Sequence, residues 1–137
     1  MLTPDQLNRL GVDHFPGHIG MIIKQVSESE IRAELPVAAY LMAPNGYMHA
    51  GSIITLADTC AGYGCRVNLP EGATGFTTIE IKSNFLGTAH AGTIECTATP
   101  VHRGRTTQVW DATVTHRETG RTLALFRCTQ LVLYPKT

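Results

Sequence analysis

Charge is scarce in this sequence. Asp, Glu, Lys and Arg together make up 16% of its 137 residues, against roughly 25% in an average globular protein. So few charges cover a monomer's surface poorly, and part of that surface is expected to be hidden in an oligomer. The signs also cancel, eleven basic residues against eleven acidic, which leaves no electrostatic footprint for nucleic acid or an anionic membrane. Metal-ligand spacing is missing: Cys60, Cys65, Cys96 and Cys128 form no CxxC pair and share no spacing with histidines. They read as buried, reduced thiols acting as small hydrophobes, which fits a reducing cytoplasm. No glycine-rich phosphate loop opens on a strand, so neither a metal nor a redox cofactor is expected. No charged-then-apolar leader precedes the first helix. The apolar run 50–65 falls short of the roughly 20 residues that cross a bilayer and is rich in Gly, Ala and Thr. A membrane span is not expected.

Hydrophobic residues make up 43% of the chain, enough at this length for one domain with a real core. Residues 1–137 read as a single domain, with 1–18 forming an N-terminal helix and loop. Thr3-Pro4-Asp5-Gln6 opens that helix as a capping box with proline in the first turn, and Gly11 ends it. Residues 14–20 (HFPGHIG) read as a turn-rich loop. Met21–Val26 and Ile31–Pro36 follow as strands joined by SESE, the second alternating Ile31, Ala33 and Leu35 against Arg32 and Glu34.

The stretch Asn45–Val67 reads as a loop feeding a long apolar helix. Between His49 and Cys65 its one charged side chain is Asp58. Gly62 and Gly64 each cost up to about 1 kcal/mol of helix propensity, a cost tolerable where neighbours pack very close. Ile53, Ala57, Cys60 and Gly64 share one face, with Leu56 and Tyr63 beside it, and no polar face remains. Such a helix should be buried nearly all round. A sheet covers one side only, so the other side calls for a second subunit.

Four β-rich segments complete the chain: Phe76–Leu86, Thr93–His102, Thr106–His116 and Arg121–Leu133. Their short connections (TAHAG, His102–Arg105, Arg117–Gly120) imply antiparallel neighbours. Two strands, a buried helix and four strands suit an α+β architecture in which a curved antiparallel sheet of about six strands wraps one central helix, the hotdog fold. An ordinary two-layer α+β sandwich is the alternative. All-round burial of the helix favours the wrapped form.

Within that frame, Asn45-Gly46-Tyr47-Met48-His49-Ala50-Gly51-Ser52 followed by Thr55-Leu56-Ala57-Asp58-Thr59 resembles the HGG…LAD signature of hotdog acyl-CoA thioesterases, nearest the phenylacetate-degradation (PaaI-like) branch. Thr78–Ile81, Asn84–Leu86, Gly104-Arg105 and Thr122–Arg127 extend the resemblance over roughly residues 19–133. It implies hydrolysis of a CoA thioester to a free acid and CoA, with the acyl group open between an aryl or phenylacetyl type and a short aliphatic one. Coenzyme A enters as part of the substrate, not as a cofactor. The resemblance also implies a homodimer with sites at its interface, paired into a homotetramer.

Asp58 heads the site. Its helical neighbours one turn away offer no partner, and an unpaired buried carboxylate is costly enough to point to function; the plain alternative is an Asp bonded to backbone or to the Thr55 and Thr59 hydroxyls. By resemblance this carboxylate attacks the thioester or activates the water that does. Unpaired N–H groups of the first helical turn suit a developing oxyanion. The family donor falls on Ala50, where relatives carry Gly, with Gly51 beside it and His49 orienting the thioester; a histidine that merely caps the helix is the competing reading. Relatives carry Asn or Gln six residues before the histidine, where this chain has Ala43, and Asn45 stands four before as the substitute. Gly62 occupies a Ser/Thr position of some relatives, and Thr78 offers a hydroxyl instead. The turn Arg103-Gly104-Arg105 is expected to hold the CoA phosphates, against the plain reading of a solvated hairpin tip. Trp110 and Phe85 read as core or interface aromatics. Two rival functions remain open: a hotdog enoyl-thioester hydratase or dehydratase, and a non-catalytic acyl-CoA-binding protein.

Overall fold

A computed structural model describes residues 1–136. The elements run α1 (Pro4–Gly11), α2 (Phe15–His18), β1 (Ile22–Val26), β2 (Ile31–Pro36), a 3-10 turn (Ala39–Leu41), α3 (Ala50–Val67), β3 (Gly75–Phe85), β4 (Thr93–Arg103), β5 (Thr107–His116) and β6 (Thr122–Leu133). Thr3 caps α1 in the expected box with Gln6. Gly11 is the last helical residue and Val12, in right-handed backbone, is the cap, so α1 ends without the left-handed glycine its sequence suggested. The 14–20 stretch is not all loop: Pro16 starts the single helical turn α2.

Six strands form one antiparallel sheet in the order β1-β2-β4-β5-β6-β3, and α3 lies against β2, β4, β5, β6 and β3. This is the expected α+β hotdog arrangement. One connection departs from expectation. The TAHAG link does not join neighbours: β3 pairs with β6 at the sheet edge and β4 pairs with β2. Residues 86–92 instead cross the end of the sheet. They are held by Leu86 N–H to Leu123 O (2.7 Å), Met48 N–H to the Thr88 hydroxyl (2.8 Å) and Val37 N–H to Gly92 O (2.9 Å). That crossing passes the loop that feeds α3.

The core fills the space between α3 and the sheet. Alternation on β2, β5 and β6 puts Ile31, Leu35, Trp110, Val114, Ala124 and Phe126 inside. The glycines of α3 are explained by aromatics. A Cβ at Gly64 would sit 2.5 Å from the fully buried Trp110 ring, whose Nε1 donates to Gln108 Oε1 at 2.8 Å. A Cβ at Gly62 would sit 3.3 Å from Phe76, on the open edge strand. Gly64→Ala gains up to about 1 kcal/mol of helix propensity but overpacks against a ring that is pinned, a cost of about 1–3 kcal/mol. The expected outcome is a net loss of stability in a denaturant melt, with Gly62→Ala losing less because Phe76 can yield.

The two sheet edges differ. On β1 the Asn8 side chain bonds both backbone groups of Ile23, accepting at 2.7 Å and donating at 3.1 Å. Among the described residues nothing covers β3, an 11-residue edge with Ile79 and Ile81 at 56% and 42% exposure. Nor is α3 buried all round in one chain. Ile53, Leu56, Ala57, Cys60, Ala61 and Gly64 face the sheet, while Ile54, Thr55, Asp58 and Thr59 form a half-buried stripe. This is the side that the sequence leaves for a second subunit, for a single sheet reaches only one side of a helix.

Candidate active site

The loop before α3 is pinned by its own backbone. Met42 and Met48 form a β-bridge, His49 N–H donates to Leu41 O (3.0 Å) and the Ser52 hydroxyl donates to the same oxygen (2.9 Å). His49 is then the N-cap, with φ −60° and ψ 132°, and its Nδ1 accepts the Gly51 N–H at 2.8 Å. An accepting Nδ1 leaves the ring proton on Nε2 of a neutral imidazole. Gly51 is needed for this contact, since a Cβ there would lie 2.9 Å from Nδ1. The His49 carbonyl takes the Ser52 and Ile53 amides at 2.9 and 3.4 Å. Among the described residues the Ala50 N–H is the one amide of this turn without an intrachain partner, and Ala50 is exposed. His49 thus caps the helix, and by using up the Gly51 amide it leaves a single donor free.

The free amide opens on a cavity of about 590 Å³ lined by Tyr47, Met48, Ala50, Ile53, Phe85, Thr88, His90 and Arg121. The crossing 86–92 supplies one wall. Tyr47 and His90 face each other with ring centroids 6.3 Å apart. Asn45 is absent from this lining. It is exposed, and its Oδ1 accepts the Tyr47 N–H at 3.1 Å to close the turn.

Asp58 lies eight residues along the same helix, about 12 Å from Ala50 at 1.5 Å per residue. One carbonyl cannot touch both groups of one chain. Asp58 Oδ1 is buried and has no hydrogen-bond partner. The Thr55 hydroxyl does not satisfy it, being turned back to Gly51 O at 2.7 Å. Desolvation by burial raises the Asp58 pKa above the ordinary carboxylate value. The one other buried, unpartnered side-chain oxygen or nitrogen among the described residues is Ser83 Oγ, on β3.

Thr78 faces inward from β3 and donates to Gln130 Oε1 at 2.7 Å, and Gln130 Nε2 donates to Cys128 Sγ at 3.4 Å. Sequence reading passed over Gln130, although its signal was present: it sits in phase with Phe126, Cys128 and Val132 on the apolar face of β6. All four cysteines are free and buried. Burial pushes Cys65 and Cys128 up to about 12, so neither supplies a thiolate nucleophile near neutral pH.

The basic turn sits at the far end of α3. Arg103 is tied to the fold through one nitrogen: its Nη1 donates to Asn68 Oδ1 (3.1 Å), at the helix C-cap, and to Glu28 O (3.3 Å). Gly104 N–H closes the turn on Thr107 O at 2.8 Å, and a Cβ there would lie 2.6 Å from His102 Nε2. The Arg105 carbonyl accepts from the Tyr134 hydroxyl, and the Arg105 residue is exposed. No group of three or more metal-ligating side chains occurs among the described residues, and no described helix is long and apolar enough to cross a membrane.

Comparison with known proteins places this geometry among relatives. The sequence model described as the thioesterase superfamily matches residues 45–125. A 1,4-dihydroxy-2-naphthoyl-CoA hydrolase of Listeria monocytogenes is 33% identical over 111 residues, covering 81% of this chain and 89% of that one. Its namesake from Escherichia coli is 27% identical over 135 residues, covering 96% of each. A solved thioesterase of Haemophilus influenzae has a TM-score of 0.90 at 29% identity, covering 98% of this chain and 92% of its own. The E. coli PaaI protein of the phenylacetic acid degradation operon has a TM-score of 0.77 at 26% identity, covering 86% and 83%.

Proposed function

The chain belongs to the thioesterase superfamily, and from that membership we propose that it hydrolyses an acyl-CoA thioester to a free carboxylic acid and CoA in a site shared by two copies. The observation that carries this reading is Asp58, a carboxylate with a buried, unpartnered oxygen on the open stripe of α3. The uncovered apolar β3 edge gives the second copy its place, because an edge of free N–H and C=O groups pairs readily with another strand. Antiparallel pairing of two β3 strands runs the two α3 helices antiparallel. Asp58 of one copy then approaches the Ala50 amide of the other, which removes the 12 Å separation within each chain.

Asp58 acts as general base. It takes a proton from water, and the water oxygen attacks the thioester carbonyl carbon. The oxyanion so formed accepts the Ala50 N–H. Collapse breaks the C–S bond, and the leaving CoA thiolate takes up a proton to give the thiol. Base strength grows with pKa, so the raised Asp58 pKa suits proton abstraction. Neutral His49 fixes the first turn through Gly51 and offers its Nε2–H outward. Arg105, brought near the other copy's helix start by the same antiparallel arrangement, holds the CoA phosphates.

An aromatic acyl group is favoured. Two relatives are named as hydrolases of a naphthoyl thioester, and in this chain Phe76 lies over Gly62, one turn from Asp58. Thiol release measured across aryl, short, medium and long acyl-CoAs tests the proposal, with aryl thioesters expected to turn over fastest. Thioesters of N-acetylcysteamine, which lack the nucleotide, are expected to show a higher KM. Hydration of crotonyl-CoA without free thiol would make the chain a hydratase, and tight binding of CoA esters without any turnover would make it a binding protein.

A further inference from the structure

Two polar side chains of the core, Gln108 and Gln130, are fully buried. Gln108 is accounted for by structure: it accepts from Trp110 Nε1 at 2.8 Å and donates to Asn68 O at 3.0 Å, tying the pinned ring to the end of α3. Gln130 has no such task. Its bonds lead to the Thr78 hydroxyl and the Cys128 thiol, and Cys128 is near enough to Asp58 for the carboxylate to raise its pKa.

Position along the groove links these groups. Phe76 packs over Gly62, which stands one turn beyond Asp58 on α3. Four helical residues advance about 6 Å, and two strand residues about 6.8 Å. Phe85 lines the cavity at Ala50 and Ile53, so β3 runs antiparallel to α3. Stepping from Phe76 to Thr78 therefore follows the step from Gly62 to Asp58. Thr78 comes level with the carboxylate across the half-open groove.

The polarity of the amide then matters. Gln130 Nε2 donates to Cys128 Sγ, which turns Oε1 to Thr78, and a hydroxyl facing a carbonyl oxygen must donate to it. The Thr78 oxygen keeps only lone pairs for whatever enters the groove. We propose that Gln130 is a positioning residue that holds the Thr78 hydroxyl as an acceptor beside Asp58, so that an attacking water gives one proton to each. Its remaining lone pair is then aimed out of the groove toward the carbonyl bound at the other copy's helix start. Without Gln130 the hydroxyl is free to turn its own proton into the groove, which replaces an acceptor by a donor and leaves the water with one fixed contact. The inference rests on the thioesterase reading and adds a residue that reaches the chemistry only through Thr78.

A double-mutant cycle on thiol release decides it. Thr78→Val and Gln130→Met are each expected to lower kcat about tenfold with KM within twofold, and the double variant to fall no further than either single one. Gln130→Glu, which keeps an acceptor oxygen toward Thr78, is expected to recover most of the rate lost in Gln130→Met. Gln130→Leu makes the same deletion if Gln130→Met does not fold, and either variant completes the cycle. Wild-type kcat in Thr78→Val, losses that multiply in the double variant, or no recovery in Gln130→Glu would each overturn the role of Gln130. If these variants keep wild-type rates while Asp58→Asn is inactive, the positioning role fails and the thioesterase reading stands. If Asp58→Asn is itself fully active, that reading fails first.

Discussion

Asp58→Asn is expected to release thiol from acyl-CoA about 10²–10⁴-fold more slowly than the wild-type chain, the usual contribution of a general base, and to melt at a higher temperature at pH 7. The two effects share one cause. The carboxylate is desolvated with a buried oxygen that nothing in its own chain satisfies, so the charged form is disfavoured in the fold and amide replacement removes that burden. Because the folded-state pKa lies above the unfolded one, folding favours the proton. The associated stability is complete below the unfolded pKa, near 4, and is lost as pH rises through the folded pKa. The melting advantage of Asp58→Asn should therefore vanish below about pH 4 and grow as pH rises through the folded pKa. Wild-type kcat should fall as the medium is acidified through the raised pKa, since only the ionised form accepts a proton. Cys128 beside it stays neutral across this window, its thiol being held up to about 12. Scanning calorimetry at two pH values and a pH–rate profile read both effects. A wild-type rate in Asp58→Asn would remove Asp58 from the mechanism.

Ala50→Pro is expected to lower kcat about 10²–10³-fold, the loss typical of deleting one oxyanion donor, while the helix remains intact. Proline is well suited to this position. It sits at the first helical residue, where an N–H has no intrahelical partner to lose. The preceding residue, His49, already has ψ of 132°, inside the range that proline imposes on its neighbour. Ala50 is exposed, which gives the ring room. The substitution therefore removes the donor hydrogen and puts a ring carbon in its place, while the helix backbone stays as it is. Circular dichroism should show unchanged helix content, and Ala50→Gly, which keeps the amide, should lose far less activity. An Ala50→Pro variant that turns over at the wild-type rate would place the oxyanion elsewhere.

Much of this was legible in the order of residues. Asp58 stood out because an apolar run has nowhere to hide a charge, and period-2 patterning marked the strands of the sheet. Three features were not legible, each for a stated reason. A short connection between strands normally means a hairpin, yet 86–92 spans the sheet end because its backbone and the Thr88 hydroxyl find partners on β6, just after β2 and in the loop before α3. Arg103 looked like a free cation because the turn is basic, and only the fold brings the Asn68 cap and the Glu28 carbonyl to it. Asn45 suited the family's amide by residue type, but its side chain closes its own turn. His49 caps the helix, the plainer of its two readings, and in doing so leaves Ala50 as the free donor.

The unequal edges of the sheet set a limit on growth. Strand addition needs an open row of backbone groups at both ends of a unit if it is to continue. Here Asn8 plugs the β1 side by occupying both polar groups of Ile23, and among the described strands β3 is the edge left to accept a neighbour. A chain with one reactive end can join one other and then has none to offer. Under the proposed β3 pairing, extension through the sheet terminates itself at two copies, and the apolar edge that would seed a fibre in a symmetric design would close a finite particle.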